Sequence, residues 1–480
     1  MPFSAKLIRR LRRLLIVLAC VATLIAVAWQ IENIRGEREW KATLKTYADR
    51  GEPLDTLPVP LPIPAEENFL QTPLLTPLLL EKYDSSKLTA FRSKEPFFDF
   101  APTTQTLWDN GEHLNLGLLA RDIAKQRAEK KLPALSPSKD ADLILAQFNI
   151  EKPDLAELRE AALFRPLARV VRPGPPPAIG QLLKIEFPNF SIQRYFARQL
   201  MFQSSALLAN SQPDLAYPSV LAAIQLAKGL GDHPYTLVET MISAVLIRMA
   251  IQPVWEGVRQ HSFTDSQLAR FSASFSEMDL LGALAQTIRN ERNNAMFLPL
   301  SSVSEPTASE WHPGLYALMP EGWWLQNKTR MVRMNDPVLE AIASQETPGF
   351  RAKLQAMQYP PPSFSPAPYS FFAEAFMTSY EKIVPNVARS ANATRLALTA
   401  CALERHRLAH GAYPDSLTAL VPAYLPSVPL DIIDGAPLRY RLNPDATFTL
   451  YSLGLDGDDD NGHRAPTGSN DLTTDGDWAW

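Results

Sequence analysis

The stretch "SVLAAIQLAKGLGDHPYTLVETMISAVLIRMA" (residues 219–250) decides the fold class. Its apolar residues recur at intervals of three and four, as in Val220, Ala223, Ile224 and Ala227, which is the spacing of one face of an α-helix. The turn-like "GLGDHP" interrupts the pattern and separates two such segments. The stretch therefore predicts two helices joined by a short turn.

The same periodicity extends on both sides of this hairpin, and the turn-like segments "NSQPD" and "HSFTD" separate further helices. The predicted helices cover residues 114–130, 154–164, 191–209, 214–230, 235–251, 264–276 and 279–297. Paired helices with short turns are typical of an α-solenoid or helical-hairpin array, whereas the lack of a fixed repeat length favours an irregular bundle. The sequence predicts a mainly α fold and leaves both architectures open.

The composition is that of a globular protein. The chain has 480 residues, of which 46% are hydrophobic and 20% are charged, which is enough for a sizeable core and two or three domains. The net charge of −4 gives no basic footprint for a nucleic acid. Proline occurs 42 times, well above the usual share of about 5%, which predicts many helix ends and extended connectors.

The N-terminal segment predicts a membrane anchor. An apolar run at residues 14–29 follows a basic segment, and the positive-inside rule places the N-terminus in the cytoplasm and the bulk of the chain outside it, in the periplasm. The run has 16 residues, near the lower limit for a single span. The basic residues are Lys6, Arg9, Arg10, Arg12 and Arg13.

Two other interpretations of this segment remain open. The triplet at residues 26–28, "AVA", suits cleavage by a signal peptidase. The segment "VLAC" ending at Cys20 resembles a lipoprotein box, although apolar residues continue beyond it. An uncleaved anchor is favoured because a polar helix follows without a break, and Trp29 would then lie at the outer membrane interface.

Proline-rich breaks divide the rest of the chain. They occur in "GEPLDTLPVPLPIPAEENFLQTPLLTP" after residue 50, in "RPGPPPA" and in "YPPPSFSPAP". The predicted organisation is an anchor with a polar helix at 1–50, an extended connector at 51–112, a helical domain at 113–358 and a small α+β domain at 365–480.

Motifs for common enzyme chemistry are missing from the sequence. It contains no nucleophile elbow, Walker A loop, dinucleotide fingerprint or HExxH motif. This favours a structural or interaction protein. The alternative is an extracytoplasmic hydrolase acting in a groove of the helical domain, which a deep polar pocket with clustered acids and an arginine would support.

Three polar or aromatic clusters are weaker candidates for a site. His406 and His410 have the i and i+4 spacing of zinc ligands, but His410 also fits the end of a helix, where an imidazole interacts favourably with the helix dipole. The cluster "RNERNN" at 289–294 could line a groove, and a solvated helix face is the favoured interpretation. The tryptophan pair in "PEGWWLQNK" (320–328) could bind a sugar or a partner, or simply pack in the core.

The C-terminal region begins with a predicted helix at 371–410, with a possible interruption at Pro385. Gly411 ends this helix, and Asp415 or Ser416 can cap a second, short one. Two short strands follow in "PLRYRL" and "TFTLYSL", and the intervening "NPDA" favours a type I turn and hence a hairpin. Cys401 lies in the long helix, where it is expected to be buried and unpaired.

The last stretch of the chain is rich in aspartate. Between residues 405 and 480 there are eleven aspartates and no glutamate, with only Arg464 near the densest group. Asp456, Asp458 and Asp460 alternate as the first ligands of an EF-hand do, but Asn461 stands where that loop needs glycine. Carboxylates held this closely repel each other unless a divalent cation intervenes. A calcium loop is therefore favoured over a disordered acidic tail.

Four segments of this region resemble the C-terminal part of the major pseudopilins of type II secretion systems. They are "ALERHRLAHGAYPDSLTALVP" (402–422), "PLDIIDGAPLRYRL" (429–442), "YSLGLDGDDDNG" (451–462) and "DGDWAW" (475–480). The resemblance covers roughly residues 390–480. It implies a long helix packed on a small antiparallel sheet, and a loop after Tyr-Ser-Leu-Gly that binds calcium.

The resemblance also implies particular ligands. Asp456 corresponds to a calcium ligand of that family, Leu453 to a main-chain carbonyl donor, and Asp471 or Asp477 to a later aspartate. Together with the alternating acids, the predicted metal ligands are Leu453, Asp456, Asp458, Asp460, Asp471 and Asp477. The expected partners are the membrane, through residues 14–29, and proteins of secretion or envelope machinery.

The chain departs from that family at its N-terminus. "MPFSAKLIRRLRR" has no prepilin-peptidase site, so processing and polymerisation as a pilin are not expected. Some 380 residues of mostly helical sequence precede the resembling region. The resemblance therefore predicts a fold and a calcium site, and a role in secretion only by association.

Overall fold

The protein is mainly helical with one small sheet. The computed structural model describes residues 5–58, 60–79, 108–135, 137–149, 153–172, 188–295, 319–356, 380–464 and 476–480. The α-helices in these ranges are α1 (Ala5–Asp49), α2 (Leu75–Leu79), α3 (Leu116–Glu129), α4 (Asp140–Gln147), α5 (Pro153–Phe164), α6 (Phe190–Ala209), α7 (Pro213–Gly231), α8 (Leu237–Arg259), α9 (Asp265–Ser276), α10 (Leu280–Ala295), α11 (Glu321–Arg333), α12 (Asp336–Ala343), α13 (Gly349–Ala356) and α14 (Ile383–His410). The strands are β1 (Arg439–Leu442), β2 (Phe448–Ser452) and β3 (Trp478–Ala479).

Every helix predicted between residues 114 and 297 is present. The largest difference is at α8, which continues eight residues beyond the predicted end at 251. It does so because its apolar face continues: Val254, Trp255 and Val258 are all buried. The short helices α4, α12 and α13 have eight residues each, which is too little to show a helical period, and they were not predicted.

Helix α1 is a single helix of 45 residues, about 67 Å long at 1.5 Å per residue. It is long and apolar enough to cross a membrane, and none of its most apolar 18-residue segment is buried in the protein. Helix α8 is also long and apolar enough to cross a membrane, but 72% of its most apolar 18-residue segment is buried. Helix α8 is therefore a core helix, whereas α1 exposes its apolar surface.

The core is built around the predicted pair of helices, α7 and α8. Helices α6, α7 and α8 pack on one another, and α14 packs against α8 and α9. At the α8–α9 turn, a Cβ on Gly257 would lie 2.1 Å from the Phe263 ring, so glycine allows this ring to pack against the helix. Thr264 and Gln267 then form a capping box that starts α9. One continuous apolar cluster extends from Phe69 to Trp480.

Part of the predicted extended connector is folded into this core. Phe69 and Leu70 form a 3₁₀ turn, and both side chains are buried. Helix α2 follows and buries Leu75 and Leu79. Pro77 is compatible with α2 because it stands in the first turn, where the backbone N–H has no partner within the helix.

The C-terminal elements follow the predicted order. Helix α14 ends at Gly411, which has a φ of 80°, and a 3₁₀ helix at Leu417–Leu420 replaces the predicted short α-helix. The predicted hairpin is confirmed, since β1 and β2 pair antiparallel with Tyr440 opposite Leu450. Helix α14 begins at Ile383, and residues 371–379 of the predicted helix lie outside the described ranges. Strand β3, which was not predicted, pairs with β2 and completes the sheet.

Candidate functional site

A buried carboxylate holds the start of the aspartate-rich loop. Asp431 is fully buried and accepts hydrogen bonds from the Ile433 N–H (2.9 Å), the Ser452 hydroxyl (2.8 Å), the Leu453 N–H (2.9 Å) and Arg439 Nη1 (2.6 Å). Burial raises the pKa of Asp431, although these donors favour its charged form. Asp431 therefore fixes the backbone at the residue where the loop leaves β2.

Two of the predicted ligands, Asp456 and Asp477, are linked across the loop. The Oδ2 atom of Asp456 accepts from the Gly476 N–H at 2.9 Å, and Oδ2 of Asp477 accepts from the Gly462 N–H at 2.7 Å. In both carboxylates the other oxygen, Oδ1, is buried and has no hydrogen-bond partner. A buried carboxylate oxygen without a donor is costly, so both are chemically suited to contact a cation.

Main-chain oxygens lie beside these carboxylates. A Cβ at Gly454 would be 1.9 Å from the Gly476 carbonyl oxygen and 3.2 Å from Asp456 Oδ1. Only glycine permits this approach, which brings a carbonyl and a carboxylate oxygen around the same residue. The Leu453 carbonyl oxygen, a predicted metal ligand, lies 2.9 Å from the Ser452 hydroxyl oxygen and has a lone pair available for a cation.

The electrostatic environment of Asp477 is negative. Its side chain is buried, and burial raises its pKa to about 6, with the charges of Asp459 and Asp460 adding to the effect. The charged form of Asp477 is thus disfavoured by both desolvation and like charge. A positive ion beside its free oxygen would relieve both.

The remaining predicted ligands are placed differently. Asp458 and Asp460 are exposed, because the chain turns at Gly457 (φ 74°) and the alternation seen in the sequence does not gather their side chains. Asp471 lies outside the described residues. Asp459, which was not predicted, accepts from the Tyr451 hydroxyl at 2.9 Å.

The side chains that the structure describes do not by themselves form a complete metal cage. Within the described ranges, no three or more His, Cys, Asp or Glu side chains are grouped so that they could hold a metal ion. Calcium takes six to eight oxygen ligands, including carbonyls and waters. Asp456 and Asp477 would therefore have to be joined by main-chain and water oxygens, or by residues outside the described ranges.

Arg464 and Arg351 lie next to the described part of the loop, and the sequence indicated only Arg464. Arg464 donates through Nη2 to the main-chain oxygens of Ala479 (2.9 Å) and Trp480 (2.8 Å), and burial lowers its pKa. The second is Arg351 of α13, whose guanidinium group occupies the space beside Gly457, where a Cβ would be 1.1 Å from Nη1. Arg351 is far from the loop in the sequence, so no local pattern predicts this contact.

A cleft opens in the helical region, away from the aspartate loop. Its volume is about 430 Å³. The charged and titratable residues that line it are Lys228, Asp232, His233, Glu277 and Asp279. Clustered acids in a cleft of the helical region are one of the features that the enzyme interpretation requires.

The polar groups of this cleft are ordered. Asp232 Oδ1 lies 2.6 Å from His233 Nδ1, and Asp232 Oδ2 accepts from Arg169 Nε at 2.8 Å. Lys228 is hydrogen-bonded to Glu277. His233 has a φ of 55°, a conformation that is uncommon for residues other than glycine. If His233 Nδ1 donates to Asp232, the other ring nitrogen, Nε2, is left as a base.

The two histidines with zinc-ligand spacing form a stacked pair. The rings of His406 and His410 lie 4.1 Å apart, and His406 Nδ1 donates to the Ala412 carbonyl at 3.0 Å. His410 Nδ1 donates in turn to the carbonyl of His406 at 3.0 Å. These contacts fit the predicted role at a helix end, and Gly411 follows in the left-handed conformation.

Most of the polar cluster at 289–294 is buried, contrary to the predicted solvated face. Arg292 and Asn293 are 2% and 5% exposed. Arg289 and Arg292 both bind Glu52, at 2.9 and 3.0 Å, and Asn293 donates to the Thr56 carbonyl at 3.1 Å. The cluster thus holds the segment that follows α1 against the helical body. These polar side chains can be buried because residues distant in the sequence supply their hydrogen-bond partners.

One member of the tryptophan pair packs in the core, and the prediction for Cys401 is confirmed. Trp323 is 8% exposed, whereas Trp324 is partly exposed. Cys401 is buried as predicted, and burial raises the pKa of its thiol, while Cys20 is exposed on α1. Neither cysteine is in a disulfide.

Comparison of the chain with known protein families, curated proteins and solved structures gave no match.

Proposed function

We propose that the chain is a single-pass protein of the cytoplasmic membrane, with its N-terminus in the cytoplasm and its bulk in the periplasm. It acts there as a structural or interaction protein and ends in a pseudopilin-like region stabilised by calcium. Its partners belong to type II secretion or other envelope machinery. The exposed apolar surface of α1 supports the membrane anchor, and the basic residues before it support the orientation.

One observation carries the calcium proposal. Asp456 and Asp477 each have a buried oxygen with no hydrogen-bond partner, and Gly476 links the two residues directly. Calcium bound there would supply positive charge to both oxygens and close the loop onto β3. The order of long helix, short 3₁₀ helix, hairpin and aspartate loop supports the likeness to pseudopilins.

Calorimetry on the full chain in detergent micelles tests the calcium site. After treatment with a chelator, the protein is titrated with calcium chloride. We expect micromolar-class binding that is lost in Asp456→Asn and in Asp477→Asn. Asp458→Asn is the matched control, because it removes the same charge from an exposed position and should retain binding. Absence of binding heat in the unmodified protein would refute the metal site.

The partner proposal needs a separate experiment. Cross-linking in membranes of the native host, followed by mass spectrometry, should identify secretion or envelope proteins joined to the C-terminal region. The yield should fall in Asp477→Asn, because an unclosed loop would leave β3 less well ordered. Cross-links confined to unrelated abundant proteins would contradict the proposed association.

A second candidate function rests on the cleft of the helical region. His233, oriented by Asp232, could act as a general base for hydrolysis. Hydrolysis of p-nitrophenyl acetate should then fall in His233→Gln and remain unchanged in His113→Gln, which changes an exposed histidine outside the cleft. Equal rates in both variants would exclude this function for His233.

A further inference from the structure

The lipid-facing surface of α1 extends beyond the apolar run that ends at Trp29. Ile31 and Ile34 are 60% and 42% exposed on the same helix. Crossing a hydrocarbon core of about 30 Å takes about 20 helical residues. Counted from Leu14, such a span reaches Asn33. The outer edge of the hydrocarbon core therefore lies close to residues 31–34.

Helix α11 contacts α1 at this same level. A Cβ on Gly322, in the first turn of α11, would lie 1.9 Å from the Glu32 carbonyl oxygen and 2.6 Å from the Asn33 Cα. A Cβ on Gly36 would lie 2.2 Å from the Gly322 carbonyl oxygen. The Gly322 N–H donates to Asn33 Oδ1 at 3.0 Å. The two backbones thus touch at the predicted edge of the membrane.

The direction of α11 is set by contacts at its other end. Arg333 donates through Nη1 to Glu39 at 3.1 Å and through Nη2 to the Thr43 hydroxyl at 3.0 Å. Since Gly322 meets residues 32–36 and Arg333 meets residues 39–43, α11 runs in the same direction as α1. Its N-terminal turn is therefore the end nearest to the membrane.

Two features of this turn suit the membrane interface. Gln326 is hydrogen-bonded to Glu32, whose side chain is only 16% exposed, so α11 covers a charged group at the edge of the apolar span. Trp324 is partly exposed, and helical side chains lean toward the N-terminus, which here is the membrane side. Tryptophan is enriched at the headgroup level because its ring is amphipathic.

We propose that the first turn of α11, with Trp324, lies in the headgroup layer of the bilayer that α1 crosses. The helical body then sits on the membrane surface rather than at the end of a flexible stalk. This inference rests on the proposed anchoring by residues 14–29. Its occupant is phospholipid, because the surface is continuous with the lipid-exposed face of α1.

Spin labelling of the full chain in lipid nanodiscs tests this position. Cys20 is exposed on α1 and Cys401 is fully buried, so a nitroxide placed on the unmodified protein reports the depth of α1. In the Cys20→Ser background, Glu321→Cys reports the first turn of α11 and Arg330→Cys is the matched control. Both positions are exposed on the same helix, about 13 Å apart along it.

The measured quantity is the collision rate of each label with oxygen, which enters lipid, and with a water-soluble nickel chelate. We expect the Cys20 label to be deep in the bilayer and the Glu321→Cys label to be shielded from nickel relative to Arg330→Cys. A deep Cys20 label with equal nickel access at the two α11 positions would overturn the seating of α11 and leave the anchor intact. A water-accessible Cys20 label would overturn the anchor and this inference together.

Discussion

Glu291 should make a contribution to the stability of the protein that is lost as pH rises toward neutrality. This residue lies on α10, where its Oε1 accepts a hydrogen bond of 3.0 Å from the Leu237 N–H at the start of α8. Burial raises its pKa from 4.5 to about 7, while the Leu237 N–H acts in the opposite direction. The neighbouring Arg289 and Arg292 are engaged by Glu52.

The sign and size of the effect follow from proton linkage. The folded protein holds the Glu291 proton more tightly than the unfolded chain does. The resulting contribution to the free energy of unfolding is fully present below about pH 4.5 and is lost as pH rises through about 7. Each pKa unit corresponds to about 1.4 kcal/mol. The loss attributable to Glu291 is therefore about 3 kcal/mol.

Urea unfolding of the full chain in detergent micelles at pH 5 and pH 8 measures this loss. Glu291→Gln removes the titrating group, so the variant should lose about 2.5 kcal/mol less than the unmodified protein between the two pH values, because part of the effect already lies below pH 5. The comparison cancels other groups, such as Asp477, whose raised pKa acts in the same direction. Glu340→Gln, at an exposed position, is the control and should behave as the unmodified protein does. If Glu291→Gln retained the full pH dependence, the assignment to Glu291 would be refuted.

Three further substitutions test the packing. Glu404→Ala removes a fully buried carboxylate that accepts from the Tyr413 hydroxyl at 2.7 Å, and should cost about 3 to 5 kcal/mol in urea unfolding; a loss below about 1 kcal/mol would contradict its role. Gly322→Leu forces α11 away from the Glu32 carbonyl and should lower the thermal midpoint of unfolding, whereas an unchanged midpoint would mean that the two backbones are not in contact. Gly411→Ala places a Cβ in the left-handed conformation and should cost about 1 to 2 kcal/mol, with no loss expected if α14 ends in another conformation.

The helices were predictable where local patterns decide the structure. The predicted helices 191–209 and 214–230 match α6 and α7 within about a residue, because apolar periodicity over five turns overrides the ambiguity of any single position. The proline-rich pattern that includes Pro77 predicts an extended chain, but proline is equally compatible with the first turn of a helix. Burial of Phe69 and Leu75, a tertiary effect, decides that segment.

The candidate cation site was predictable only in part, because tertiary contacts also decide which residues meet there. Asp456 follows from the motif, and its neighbour across the loop, Asp477, was one of two alternatives. Asp431 and Arg351 carry no local signal, because each acts on the loop from a distant part of the sequence. Sequence spacing indicated that Asp458 would join the site, but a turn at a glycine decides which carboxylates face inward.

The C-terminal strand connects the candidate cation site to the helical core. Asp477 immediately precedes β3, whose Trp478 pairs with Ser452, and the next residues carry the chain to Trp480. The Trp480 ring lies 6.0 Å from that of Trp108, and the main-chain N–H of Trp108 donates to the Gln252 side chain of α8 at 2.7 Å. A change in order at Asp477 is therefore expected to reach a core helix through the contact between Trp480 and Trp108. Because this path is short and buried, opening of the loop and loosening of the helical core are expected to be coupled, so the C-terminal α+β region is not expected to unfold independently of the helical core.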